Sequence, residues 1–137
     1  MTETAPSAEI AAATTVGTVE LTVGDLSRSA SWYGEALGLE ILEAAGSRAS
    51  LGTDGRELLV LVEEPDARPV SRNTGLYHFA LLVPERVALA RWLAHAARDQ
   101  VELTGLSDHV VSEAIYLRDP DWHGIEIYAD RPRSTWE

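Results

Sequence analysis

The chain repeats itself at an offset of about 60 residues: Val19 recurs as Phe79, Leu21 as Leu81, Val23 as Val83, Ala30 as Ala90 and Trp32 as Trp92. An internal repeat limits the fold to copies of one supersecondary unit, stacked to bury a shared core. In the first copy, residues 18–23 alternate as a strand, and Gly24-Asp25 opens a helix. Asp25 suits an N-cap because its carboxylate accepts an orphan helix N–H. Leu26, Ala30, Trp32, Tyr33 and Leu37 recur at helical spacing up to Gly38, a C-cap candidate. Strands follow at about 39–43, 47–52 and 56–63, with Asp54-Gly55 as a hairpin signal. The second copy has a strand at 76–83, a helix opened by Pro84-Glu85 and running to about Arg98, and strands near 101–106, 111–117 and 124–129. Three strands after each helix fit a ferredoxin-like sandwich poorly. The expectation is an α+β fold of two tandem βαβββ units, about 16–64 and 75–130, in one domain spanning 16–137. A disordered tail, 1–15, precedes it, and a short extension follows the last strand.

Strand alternation assigns faces. Val19, Leu21 and Val23 pack under the first helix, and Phe79, Leu81 and Val83 under the second. Thr18, Glu20, His78, Glu126 and Tyr128 then fall on the opposite, helix-free side, where a cleft would lie. Trp32 and Trp92 read as helix packing and Trp136 as packing of the tail.

Composition narrows the partners. The 137 residues carry 11 Lys and Arg against 22 Asp and Glu, a net charge of −11. Nucleic acid and anionic membrane surfaces are excluded as partners, since both need clustered cations. A neutral or cationic small molecule remains. The absence of cysteine removes disulfides, thiolate metal sites and a Cys nucleophile. No apolar run reaches a membrane span, and no early basic residue suggests a secretory signal, so a cytoplasmic protein is expected.

Three segments carry a resemblance: VELTVGDLSRSASWYGEALGLE at 19–40, GLYHFALLVPE at 75–85 and LRDPDWHGIEIYADRPRSTW at 117–136. They resemble the vicinal oxygen chelate superfamily, which includes glyoxalase I, bleomycin-resistance proteins and extradiol dioxygenases. The last two are similar to the N-terminal half of bacterial catechol-2,3-dioxygenases built from two such domains, in which another domain follows. The resemblance implies four metal-ligand positions. His78 and Glu126 occupy the third and fourth. Thr18 stands where the family has a first His, and the second position falls near Val60.

Two ligands hold a divalent ion weakly, because an iron site of this kind wants two His and one carboxylate with open positions. A third donor has several candidate sources. Glu20 lies one pleat from Thr18, a large offset, and reads as a polar cleft wall before it reads as a ligand. His95 reads as solvent-facing or at a boundary, His109 precedes a strand, and His123 reads as loop-facing. A partner chain is a further source. His78 and Glu126 could instead satisfy each other by one hydrogen bond with no metal.

The leading expectation is therefore a glyoxalase/bleomycin-resistance-type binding protein with an incomplete metal site, sequestering an aromatic or cationic compound, as antibiotic-resistance proteins of this kind do. The alternative is an extradiol dioxygenase or glyoxalase-type lyase or isomerase using one Fe, Mn, Ni or Zn ion, with Glu126 as the catalytic carboxylate, alone or with a partner domain. Thr18, Glu20, Val60, Tyr116, Trp122 and Tyr128 are candidate ligand contacts, Trp122 reading equally as a loop cover. A homodimer with the cleft at or near its interface is expected, because twofold pairing covers open sheet edges.

Overall fold

The computed structural model describes residues 10–68 and 75–136. Of the expected tail, residues 1–9 lie outside the described residues. Residues 10–15 are exposed and form one turn, closed by the Thr14 N–H on the Ala11 carbonyl at 2.9 Å.

The first unit comprises β1 (Val19–Val23), α1 (Leu26–Leu37), β2 (Glu40–Ala45), β3 (Arg48–Thr53) and β4 (Arg56–Glu63). The second comprises β5 (Phe79–Leu82), α2 (Arg86–Arg98), β6 (Leu103–Asp108), β7 (Ser112–Arg118) and β8 (Gly124–Asp130). A short 3-10 turn, Arg133–Thr135, follows. Asp25 caps α1 by accepting the Arg28 N–H at 2.9 Å, and Gly38 ends it at φ +72°. Among the described residues no helix is long and apolar enough to cross a membrane.

Each unit folds into one four-stranded sheet, in the orders β1-β4-β3-β2 and β5-β8-β7-β6. The first strand pairs in parallel with the last of its own unit, and the other pairs are antiparallel. The tandem α+β architecture is as expected. Registers align the copies: Glu20 pairs with Val60 as Ala80 pairs with Glu126. Thr18 and His78 each stand one residue before their first strand. The fifth strand is shorter than the expected 76–83, because its ladder with β8 begins only at Phe79 opposite Ile125.

The helix-side residues of both sheets merge into one core. Leu21, Val23, Leu51, Leu59 and Leu61 meet Tyr33 of α1, and Phe79, Ile115, Leu117, Ile125 and Ile127 continue the cluster through the second unit. Truncating one such leucine to alanine typically costs about 2–5 kcal/mol. Trp92 packs at this core as expected, and its Nε1–H also donates to the Ala36 carbonyl at 2.9 Å. His95 lies at the boundary, half-buried. Its Nε2–H donates to the Glu35 carbonyl at 2.9 Å, so two α2 side chains satisfy carbonyls at the C-terminal end of α1.

The other end of α1 is held by the β7–β8 turn. Asp119 has a fully buried carboxylate. Its Oδ2 accepts the Tyr33 hydroxyl and the His123 Nδ1–H, each at 2.8 Å, and its Oδ1 accepts the backbone N–H groups of Asp121 and His123. Asp121 accepts from the Gly24 N–H, the Ser29 hydroxyl and the Arg28 guanidinium. Burial pushes the Asp121 carboxyl up, but these donors, Arg28 foremost, outweigh it and hold the carboxyl below its ordinary value. His123 is therefore half-buried in the joint between units rather than loop-facing. The Asp119 carboxylate raises its pKa by hydrogen bond and charge against the opposing effect of burial.

Candidate functional site

His78 and Glu126 face each other on the helix-free side of the second sheet, with Nε2 and Oε2 2.8 Å apart. Glu126 is central on β8, between Ala80 of β5 and Tyr116 of β7 in register. Packing fixes the His78 ring. The Tyr77 ring meets it edge-on at 5.2 Å and the Tyr116 ring at 5.9 Å, centroid to centroid. Gly124 lets β8 run close by: a Cβ there would lie 2.9 Å from the His78 Cβ and would collide with the Tyr77 carbonyl. The matching position in the first unit, by register, is Leu58. A glycine at that place is the requirement of the close approach.

The Tyr116 hydroxyl lies 2.8 Å from His109 Nε2, across the β6–β7 hairpin. Burial first, then the charge of Glu126, raise the Tyr116 phenol above its ordinary pKa. Tyr128 lies one pleat beyond Glu126, and burial and the nearby Asp130 and Glu126 raise its phenol too. A cavity of about 420 Å³ opens beside the pair. Tyr77, His78, Thr104, Gly105, Tyr116 and Arg118 are among its lining residues. The Nδ1 of His78 is buried with no hydrogen-bond partner among the described residues, which is costly for an imidazole nitrogen.

The corresponding face of the first unit carries different chemistry. Thr18 and Glu20 are exposed, and Glu20 is committed to Arg48 at 2.8 Å. Val60 is 3% exposed and offers no donor. Among the described residues, no group of three or more His, Cys, Asp or Glu side chains is placed to hold a metal ion. Glu20 is paired with Arg48 and is not grouped with His78 and Glu126 among the described residues. One imidazole and one carboxylate leave a divalent ion short of the three protein donors that such chemistry uses. A single copy does not by itself fit the metal.

Trp122 does not line the cavity. It occupies the β7–β8 turn at φ +72°, 63% exposed, with the Arg118 guanidinium 5.9 Å from its ring centroid. His109, a candidate donor by sequence, reaches Tyr116 from a turn and is not among the cavity's lining residues. One cavity feature escapes a reading of the sequence: Arg118 stands at the end of β7 among charged turn residues, and its only signal is that position, two residues after Tyr116.

The family profile of the Glyoxalase/Bleomycin resistance protein/Dioxygenase superfamily matches residues 15–127, and the chain belongs to that superfamily. It is 45% identical over 131 residues to a catechol-2,3-dioxygenase of Bacillus subtilis, covering 90% of this chain and 44% of that protein. It is 29% identical over 121 residues to a glyoxalase 1 of Caenorhabditis elegans, covering 82% of this chain and 41% of that protein. The chain thus spans less than half the length of these curated relatives. A glyoxalase/dioxygenase from Nostoc punctiforme shares the fold, with a TM-score of 0.72 at 23% identity, over 93% of this chain and 99% of that one.

Proposed function

We propose that the helix-free face of the second unit binds a small hydroxylated aromatic of the catechol class. In this reading it becomes a divalent-metal, extradiol-type ring-cleavage centre only where another βαβββ unit adds a donor opposite His78 and Glu126. The observation that carries this is the His78–Glu126 pair, 2.8 Å apart, with His78 lining an open cavity. The hydroxyls of a vicinal diol match this arrangement of one acceptor and one exchangeable imidazole, and Tyr77 and Tyr116 supply aromatic surface for the ring. The likeness to a catechol-2,3-dioxygenase supports the same ligand class. A second copy of this chain is the proposed source of the other unit. It would form a homodimer that covers the open face, including Leu82, which is 56% exposed.

A second reading is sequestration of a small aromatic or cationic compound without reaction. It is favoured by Thr18 and Val60, which hold the ligand positions of the first unit without ligating groups. One experiment serves both. Titration with 4-nitrocatechol, with and without Fe(II), follows binding by absorbance, and air then admits ring cleavage. Saturable binding, weakened about tenfold or more in both His78→Ala and Glu126→Gln as expected for loss of a charge-assisted contact, supports the proposed site. Ring cleavage with Fe(II) selects the enzyme, and binding without cleavage selects sequestration. Equal binding in wild type and both variants would overturn the site.

A further inference from the structure

Among the described residues, Arg118 is the one formally charged side chain, histidine apart, that lines the cavity holding His78. It stands at the end of β7, exposed. Arg28, Arg48, Arg86, Arg98 and Arg131 each hold a carboxylate at 3.0 Å or less. Arg118, like Arg56, Arg91 and Arg133, holds none among the described residues, but of these four it is the one at the cavity, in a chain with 22 acidic side chains and a net charge of −11. Its Nη1–H donates instead to the Trp122 carbonyl at 2.9 Å, and its guanidinium packs over the Trp122 ring at 5.9 Å. These contacts fix the fork without neutralising it.

Trp122 is positioned for that task at a disadvantage to itself. A tryptophan at φ +72° is in a backbone region that L side chains rarely take, and its ring is 63% exposed. The residue gains little from burial there, so stability alone does not account for it. What its backbone carbonyl and ring both do is hold Arg118. Across the cavity Tyr77 is 82% exposed and available as a ring-stacking lip.

We infer that Arg118 is a specificity-determining residue, selecting hydroxylated aromatics that carry an anionic substituent such as a carboxylate, with Trp122 as its positioning residue. The inference rests on the reading that this cavity binds a hydroxylated aromatic. It adds to that reading the charge of the ligand: although the chain as a whole is strongly acidic, the cavity offers a planar cationic fork that matches a carboxylate bidentately.

The test compares catechol with 3,4-dihydroxybenzoate by isothermal titration calorimetry on the full chain, in wild type, Arg118→Gln and Trp122→Gly. Wild type is expected to bind the carboxylated probe about tenfold more tightly, with the preference shrinking as salt screens the contact. Arg118→Gln removes the preference, bringing the affinity for 3,4-dihydroxybenzoate down to that for catechol, since the charged contact is lost. Trp122→Gly reduces the preference without lowering the thermal midpoint, because glycine accepts the left-handed backbone. A purely structural tryptophan would show a lower midpoint with the preference intact. Equal wild-type affinities for the two probes, or a preference that survives Arg118→Gln, overturns this inference and leaves the catechol-class site standing. Wild type that binds neither probe overturns both.

Discussion

The two units share a register but not a chemistry. On the helix-free face of the second, the strand pair β5–β8 presents His78 and Glu126 in contact. On the first, the matching pair β1–β4 presents Thr18 and a buried Val60, crossed by an exposed Glu20–Arg48 ion pair. The turns differ as well. The β3–β4 turn is a two-residue hairpin with Asp54 at φ +50° and Gly55 at φ +72°. The β7–β8 turn is longer and carries the buried Asp119 that ties the units together. The fold repeats because both copies must cover a sheet with a helix. The site does not repeat because it lives in a handful of side chains that the core does not need.

That comparison breaks most readily at Gly124. The first unit tolerates Leu58 at the equivalent register, but in the second unit the backbone of Tyr77 and His78 occupies the space. Gly124→Ala is expected to destabilise the chain by about 1–3 kcal/mol through overpacking, measured by urea denaturation. It should also weaken 4-nitrocatechol binding by displacing His78. Leu58→Ala should leave that binding unchanged.

A smaller effect sharpens the contrast between turns. His123 has a raised pKa in the folded chain, from its hydrogen bond to Asp119. Its contribution to stability is therefore fully present below the unfolded value of about 6.5 and is lost as pH rises through the folded value. Denaturation midpoints measured across that window should fall with rising pH in wild type, and His123→Gln should flatten the slope. In the β3–β4 turn Asp54 is exposed and carries no such buried contact among the described residues, so Asp54→Asn should leave the slope as it is. A slope that persists in His123→Gln would place the titrating group elsewhere.

The repeat was legible because core residues recur with fixed strand and helix periods, as in Val19 and Phe79 or Trp32 and Trp92. The match between Val60 and Glu126 was harder to see, since the longer β7–β8 turn and α2 shift the offset late in the unit. His78 and Glu126 were legible as candidates because strand alternation sets both away from the helix. The joint was not. Asp119-Pro120-Asp121 reads locally as a turn, and nothing nearby in sequence announces that Tyr33, 86 residues earlier, will donate to it. His123 was misplaced for the same reason, because burial created by a second unit is invisible to local pattern. The Glu20–Arg48 pair is likewise invisible to local pattern, because Arg48 lies 28 residues away on another strand.

The central claim is that ligand chemistry is confined to the second unit's helix-free face. Substoichiometric Mn(II), added to isotopically labelled protein, broadens NMR signals near even weak donor pairs. The account predicts that the His78 ring and the Glu126, Tyr116 and Gly124 amides broaden first, while Thr18, Glu20 and Val60 remain sharp until the second face is saturated. Broadening that begins at Glu20 and Thr18, or spreads evenly over the acidic surface with no preference for His78, would contradict it.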